Sequence, residues 1–554
     1  MMGQARITLL GLLAILWGIG ALPALAAPRH RDETLMAAQR LVAEWRVEAA
    51  AQLLAPLIAS RSRDPEMELV RGQLQFYQGD YDGAVRSLRA GLAGLRLPPA
   101  ESQELRSISE LAAASAEVTR GFAEQRSPGG HFVIRYRRGR DEILVPYAAE
   151  ALEKAWAALG EDFSGIADAE AARPAGPVRV EIYEDITDLA RVSTLTIKEI
   201  ETSGTIALCK WNRLMIVSPR ALLRGYPWID TLTHEYTHYI VTRVARGTVP
   251  IWLHEGLAKF EERRWRGPSG GGLTPTLESL LAGALAKKRF ITFEQMSPSM
   301  AKLPSQEDTA LAFAEVYSVV EYLHSKLGWA GLRRLLSELA HGNGDKGALA
   351  AVYGGPFVEF DRAWKSWLRS RKLRTRAGMY TPRLRFKKTP GQPAAQASRS
   401  GSPPAPQDDD DSGEIGDPKA RSFVRLGGLL RARGRLLPAA MEYEKAQGIL
   451  GAGHPLLALK LGRTYLELGD LDHAISALEP ARESYTDLPG INAALGSAWL
   501  KKGEVRKAVP YLEAAIATSP FDPSIHCGLV QAYKQLQSPL AERAAAACSL
   551  LGGR

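Results

Sequence analysis

Cysteine is nearly absent from this chain. Only Cys209, Cys527 and Cys548 occur in 554 residues. That excludes a disulfide-built scaffold and a thiolate metal site, because three cysteines at these distances have no ligand spacing. Cys527 and Cys548 can pair if neighbouring helices bring them together, or pack as small apolar side chains; Cys209 stays free in both cases. Long apolar runs are also scarce. Beyond the first 26 residues no stretch is long and apolar enough to span a bilayer, which excludes a polytopic membrane protein. Charge of one sign is not concentrated either. The net charge of +9 is modest for this length, and Lys and Arg are dispersed apart from a cluster between Arg369 and Arg376. No aromatic residues interleave with that cluster, so no nucleic-acid partner is expected. The run Asp408-Asp409-Asp410-Asp411 lacks the spacing of a calcium loop and reads as solvated chain.

The length calls for three or four domains rather than one core. Arg6 precedes an apolar run from Ile7 to Ile19, and Ala24-Leu25-Ala26 follows. This is the pattern of a secretory signal peptide over residues 1–26, cut after Ala26 or Ala27, with a retained anchor as the alternative. The expected location is exported, in a periplasm or outside the cell. No cysteine follows the run to carry a lipid.

Residues 418–552 repeat at a period of 34: Gly428, Gly462 and Gly496 are in register, as are Ala440, Ala474 and Ala508, and Tyr465, Trp499 and Tyr533. Small residues at fixed positions let paired helices approach, and Pro455, Pro489 and Pro523 fall between the pairs. The pattern resembles tetratricopeptide repeats, with three repeats and a divergent fourth as cap. Residues 30–125 carry a weaker echo in Gly72, Gly79, Ala84 and Ala50, read as tetratricopeptide-like hairpins or as a generic helical bundle. Such arrays form concave surfaces that hold peptides or partner proteins. Residues 374–417, rich in Pro, Gly, Ala and Ser from Lys388 onward, read as a disordered linker.

Chemistry concentrates in His234-Glu235-Tyr236-Thr237-His238 and Trp252-Leu253-His254-Glu255-Gly256-Leu257-Ala258. Histidines four apart share one face of a helix and can reach one metal ion. Pro227 and Asp230 mark the start of that helix, Gly247 and Pro250 break the chain after it, and Ile251 to Glu262 forms a second helix. Glu255 on the second helix completes a His2Glu set, and three protein ligands with an open position is the pattern of catalytic zinc. The arrangement resembles the peptidase MA family, exported bacterial gluzincins with a thermolysin-like zinc core. The resemblance implies His234, His238 and Glu255 as zinc ligands and Glu235 as the general base that deprotonates a water. His254 diverges by about 100° from its neighbour and is expected beside the site or on the surface. Where some relatives have a carboxylate supporting a zinc histidine, this chain has Lys259; Glu261, Glu262 and Asp230 are the candidates for that support.

Residues 128–373 fit the same resemblance. His131–Tyr136 and Val178–Tyr183 alternate as strands, Val145–Leu159 is an amphipathic helix, and 204–210 with 214–217 forms a hairpin turning at Trp211-Asn212-Arg213. The resemblance makes that hairpin, Cys209 included, the edge that takes extended substrate by strand addition. Ala312–Leu323 is expected to close the far side of the cleft, with Tyr317 either the donor to the oxyanion or a packed core tyrosine. Phe357–Leu368 is a packing helix.

The expectation is therefore a multidomain, mainly α protein with an α+β thermolysin-like core between tetratricopeptide-like regions. It would be an exported zinc metallopeptidase cleaving protein or peptide substrates, with the repeats holding a partner protein. The alternative is a catalytically silent scaffold of the cell envelope.

Overall fold

The computed structural model describes residues 33–60, 64–166, 169–174, 176–271, 273–375, 383–387, 412–485 and 488–553. The expected signal peptide, the aspartate run and most of the expected linker lie outside them. The described chain is mainly helical, with one small mixed sheet and tetratricopeptide-like helix pairs before and after it. No described helix is long and apolar enough to cross a membrane.

Local chemistry starts the helices. Asp64-Pro65, Asp417-Pro418 and Asp522-Pro523 each place proline in the first turn, and each aspartate accepts a hydrogen bond from a first-turn N–H. Proline loses nothing there, because that N–H has no intrahelical acceptor. Within a pair, one glycine per repeat lets the helices touch. A Cβ on Gly72 would lie 2.7 Å from Leu88, on Gly462 2.5 Å from Leu478, and on Gly496 2.6 Å from Leu512. The same contact thus recurs sixteen residues downstream in both arrays. In the first C-terminal repeat the position moves by one. Gly427, not Gly428, meets its partner, Tyr443, 2.6 Å from where its Cβ would be. The larger Tyr443 ring needs the buried position that Gly427 occupies.

The sheet has the order β1-β2-β3-β5-β4, with β1 Phe122–Arg126, β2 Phe132–Arg137, β3 Val178–Tyr183, β4 Ala207–Lys210 and β5 Arg213–Val217. The three central strands are parallel, and an antiparallel strand closes each side. The sheet opens at Phe122, inside a stretch whose sequence reads as the tail of the helical region; no alternation announces β1. The β4–β5 hairpin turns on Trp211 and Asn212, both with positive φ. Two such residues make the tight turn whose twist matches the strands.

Both faces of the sheet are covered. On one, Phe132, Ile134, Val180, Ile182, Leu214 and Ile216 are buried, and the Phe132 ring meets Tyr236 at 5.0 Å on helix Trp228–Val244. The other face carries the polar half of the alternation, and the N-terminal helices bury it. Glu181 and Arg213 are completely buried and pair at 3.1 Å. Arg135 adds a second cation at 2.9 Å, and the hydroxyls of Tyr81 and Tyr183 each donate to Glu181 at 2.6 Å. Arg213 also donates to Ser115 Oγ and the Val192 carbonyl. Tyr81 and Ser115 belong to helices Tyr81–Gly94 and Pro99–Val118. The charges that would have faced water are thereby satisfied by the preceding helical region. The hairpin tip joins the same seam: Trp211 meets Phe76 at 5.5 Å, and Asn212 donates to the Tyr77 carbonyl.

Cys527 and Cys548 form a disulfide between helices Pro523–Gln535 and Ala541–Leu550, and Cys209 is free.

Removing one partner of a buried ion pair strands the other charge. Arg213→Met is expected to cost about 3–5 kcal/mol and to loosen the N-terminal helices from the sheet. Thermal unfolding of the full chain, followed by tryptophan fluorescence, reads this directly; an unchanged transition would contradict the account of the seam.

Candidate metal centre

Helix Trp228–Val244 is buried along almost its whole length. A buried helix with four threonines needs those hydroxyls bonded, and three of them turn back on their own backbone. Thr231 donates to the Pro227 carbonyl, Thr233 to Ile229 and Thr237 to Thr233. Asp230 sits in the first turn and Arg243 in the last, each opposite the helix dipole. The helix ends at Val244, and Arg246 and Gly247, both with positive φ, turn the chain into helix Ile251–Glu261.

This second helix brings Glu255 to the histidines. Its carboxylate Oε2 lies 3.3 Å from Nε2 of His234 and 3.3 Å from Nε2 of His238. One potential ligand atom from each residue lies within 4.8 Å of the other two, and among the described residues this is the cluster that could hold a metal ion. The three side chains keep 7–12% exposure. Gly256 makes the approach possible on the other side. A Cβ there would fall 2.8 Å from the Val316 carbonyl and 2.7 Å from Val320, on helix Gln306–Ala340.

The charges are mutually dependent. Burial disfavours protonated His234, but its contacts with Glu255 and Glu262 and the field of Glu235 outweigh that, and its pKa stands at about 9. Burial likewise opposes ionised Glu255, yet the two imidazoles hold it far below the ordinary carboxylate range. Glu235 is pushed up by burial, against the pull of both imidazoles. A carboxylate with a raised pKa is better suited to accept and return a proton near neutrality. Burial, and after it the charge of Glu235, raises the pKa of Cys209 on β4 and of Tyr226.

Of the three carboxylates considered as support for a ligand histidine, Glu262 reaches one. Its Oε2 lies 3.8 Å from Nδ1 of His234, and Lys259 holds both of its oxygens at 2.7 Å. Lys259 and His234 keep Glu262 ionised against its burial, with a pKa of about 2. Asp230 is turned instead to Trp265, Arg266 and Arg263, and Glu261 to Ser269 and Arg264. His254 is buried and stacks on His238, with centroids 4.4 Å apart and planes 9° apart; its Nε2 contacts Thr242. It is a packing wall behind the ligand and not a surface group.

Tyr317 is buried on helix Gln306–Ala340. Its hydroxyl donates to the Gly270 carbonyl at 2.8 Å, and its ring packs on Phe260. The residue of that helix in ring contact with His234 is Phe313, at 5.9 Å. Phe313 was not singled out in the sequence, and an apolar residue one turn from a chosen tyrosine gives no signal. The helix itself runs from Gln306 to Ala340, far beyond the expected Ala312–Leu323, with a non-helical kink at Gly328.

Comparison with known proteins agrees with the motif. Residues 161–370 match the Peptidase MA superfamily, and residues 459–523 match a tetratricopeptide repeat. The chain therefore carries a domain of that superfamily with repeats beside it. No curated protein matches the chain. Among solved structures, one similar chain comes from the crystal structure of the APC/C hetero-tetramer Cut9-Hcn1. It is 12% identical over 94% of this chain and 96% of that one, with a TM-score of 0.23, which carries no argument about fold or activity.

A donor set of two imidazoles, neutral once a metal is bound, and a carboxylate suits zinc. In the metal-free protein the proton on His234 stabilises the fold fully below about pH 6.5, and that contribution is lost as the pH rises through about 9. Zinc must displace this proton. Its affinity is therefore expected to rise about tenfold per pH unit between pH 7 and 9 and to level off above. Chelator competition across that range measures it, and a flat profile would exclude a protonated His234. Glu262→Gln is expected to weaken zinc binding about 10- to 100-fold by the same assay.

Proposed function

We propose that this protein is an exported, zinc-dependent peptidase of the gluzincin type with a thermolysin-like core. The observation that carries the reading is the convergence of His234, His238 and Glu255 from two helices, with Glu235 beside them. The superfamily is typically metal-dependent, and repeats of the tetratricopeptide kind suggest protein–protein interaction. The parallel strands β2, β3 and β5, with antiparallel β4 on the edge next to the ligand helix, support the core assignment.

Zinc held by these residues supplies the Lewis acidity that makes water nucleophilic near neutral pH and polarises a carbonyl. Glu235 takes the proton from the attacking water and passes it to the leaving amine. Glu255 and the two imidazoles hold the metal, while Glu262, itself pinned by Lys259, orients His234. β4 ends the sheet and has no further strand beside it among the described residues. An extended peptide would pair along it, its scissile bond delivered toward Glu235 by backbone hydrogen bonds. The arrays on either side recruit the protein substrate or fix the enzyme in an assembly.

Export rests on Arg6, the apolar run after it and the small residues Ala24-Leu25-Ala26. The Cys527–Cys548 disulfide is in keeping with it, since such bonds persist in oxidising compartments.

The test combines metal analysis with a peptide-library digest. The native protein is expected to hold one zinc per chain and to cleave peptides. Glu235→Gln should keep the zinc and lose activity by a factor of about 100 or more. A purified protein that neither contains nor takes up zinc would leave a scaffold as the better description, and unchanged cleavage by Glu235→Gln would remove the glutamate from its role.

A further inference from the structure

Helix Trp228–Val244, which carries both histidines, begins without a side-chain cap. Its N-cap residue is Pro227, which offers no side-chain acceptor. The first N–H groups of a helix need acceptors from outside it. The C-terminal array supplies one, to the first residue of the helix, and binds the turn before it. The Trp228 backbone N–H is shared between the Tyr226 carbonyl at 2.7 Å and the Ala517 carbonyl at 3.2 Å. The Trp228 indole N–H donates to the Ile516 carbonyl at 2.9 Å. Tyr226 N–H donates to the Thr518 carbonyl at 3.1 Å, and Ser519 Oγ donates to the Arg224 carbonyl at 3.3 Å.

The partners are not arbitrary loop atoms. Ile516 ends helix Val505–Ile516, so the carbonyls of Ile516 and Ala517 are among those that a helix C-terminus leaves unbonded. The negative end of one helix meets the positive start of the other, and each satisfies the other's open groups. The fit is close. Trp228 and Tyr226 are 1% exposed. Gly225 has a φ of +74°, and a Cβ there would lie 2.1 Å from the Thr518 carbonyl oxygen. A second contact holds the array in place. Arg543 stacks 3.7 Å over the Tyr147 ring and pairs with Glu150 at 3.0 Å on helix Leu144–Asp162, which packs beside the ligand helix.

We propose that the C-terminal array is a positioning element of the metal centre, acting through the turn Ile516–Ser519, with Trp228 as the positioning residue. His234 lies less than two helical turns beyond Trp228. Where the array holds the start of the helix therefore sets where the first imidazole stands. The inference rests on the zinc reading above, and it makes the array part of the same working unit rather than a module tethered to it.

The test uses the full chain. Trp228→Phe keeps an aromatic ring and removes the donor; Gly225→Ala drives a methyl group into the Thr518 carbonyl. Leu495→Ala, inside the array and away from the turn, controls for general destabilisation. Two quantities are read: amide hydrogen exchange across residues 228–238 in metal-free protein, and the visible spectrum and affinity of bound Co2+. Both seam variants are expected to speed exchange about tenfold, equivalent to about 1.4 kcal/mol of local opening, and to weaken Co2+ binding about tenfold with an altered spectrum. The control should leave both unchanged. Folded seam variants with native exchange and a native spectrum would overturn the proposal, and so would a control that shifts both as much. If Gly225→Ala does not fold, Trp228→Phe decides alone. If native protein binds no Co2+, the zinc reading fails, and the exchange comparison still decides the coupling.

Discussion

Everything at the centre of this molecule depends on a carboxylate meeting two imidazoles out of bulk water. Glu255 approaches His234 and His238 at 3.3 Å each. Three ionisable groups gathered in that way would be costly to bury unless each neutralised the others or a cation joined them. The fold arranges both options. Without metal, the proton on His234 compensates Glu255; a bound cation would be held by the same three residues. The rest of the region serves this meeting. The turn at Arg246 and Gly247 reverses the chain, and Gly256 lets the second helix lie against helix Gln306–Ala340. The hydroxyls of Thr231, Thr233 and Thr237 are spent on their own helix.

The helical arrays are continuous with this arrangement. The N-terminal helices cover the polar face of the sheet and balance Glu181, Arg135 and Arg213 with Tyr81 and Ser115. They also touch the far end of the ligand helix. Trp45 meets Tyr239 at 5.7 Å, and Arg243 donates to the Trp45 and Ala171 carbonyls. The C-terminal array meets the near end at Trp228. A helix gripped at both ends by separate helical arrays has little freedom to drift, and preorganised donors are what a metal site requires.

Much of this was legible in the residues. The two histidines four apart and the Glu255 segment named the cluster. The 34-residue spacing named the repeats, and the alternation from Val178 to Tyr183 gave β3 to the residue. The misses have physical reasons. β1 has no alternating pattern, because only one of its residues is buried. Gly427 and Gly428 are adjacent, so the spacing could not say which one meets the larger partner ring. Three carboxylates near the ligands were equivalent in one dimension, and only the course of the chain after Glu261 brings Glu262 to His234. The partner of the Tyr317 hydroxyl, the Gly270 carbonyl, lies 47 residues back in the chain and no spacing gives it. The alternation of β3 does not say what covers its polar half, and the N-terminal helices bury it.

By itself the sequence determined what repeats over short distances: helix and strand periods, proline starts, glycine contacts, and the residue types of a candidate metal site. These follow from bonds and sterics within a few residues. Tertiary structure decided the pairings between distant segments: Cys527 with Cys548, Lys259 and Glu262 behind His234, Tyr81 on Glu181, Ile516 over Trp228. Such contacts join groups far apart in the chain, or choose among near neighbours of the same type. They depend on where whole elements come to rest, and no local pattern encodes that.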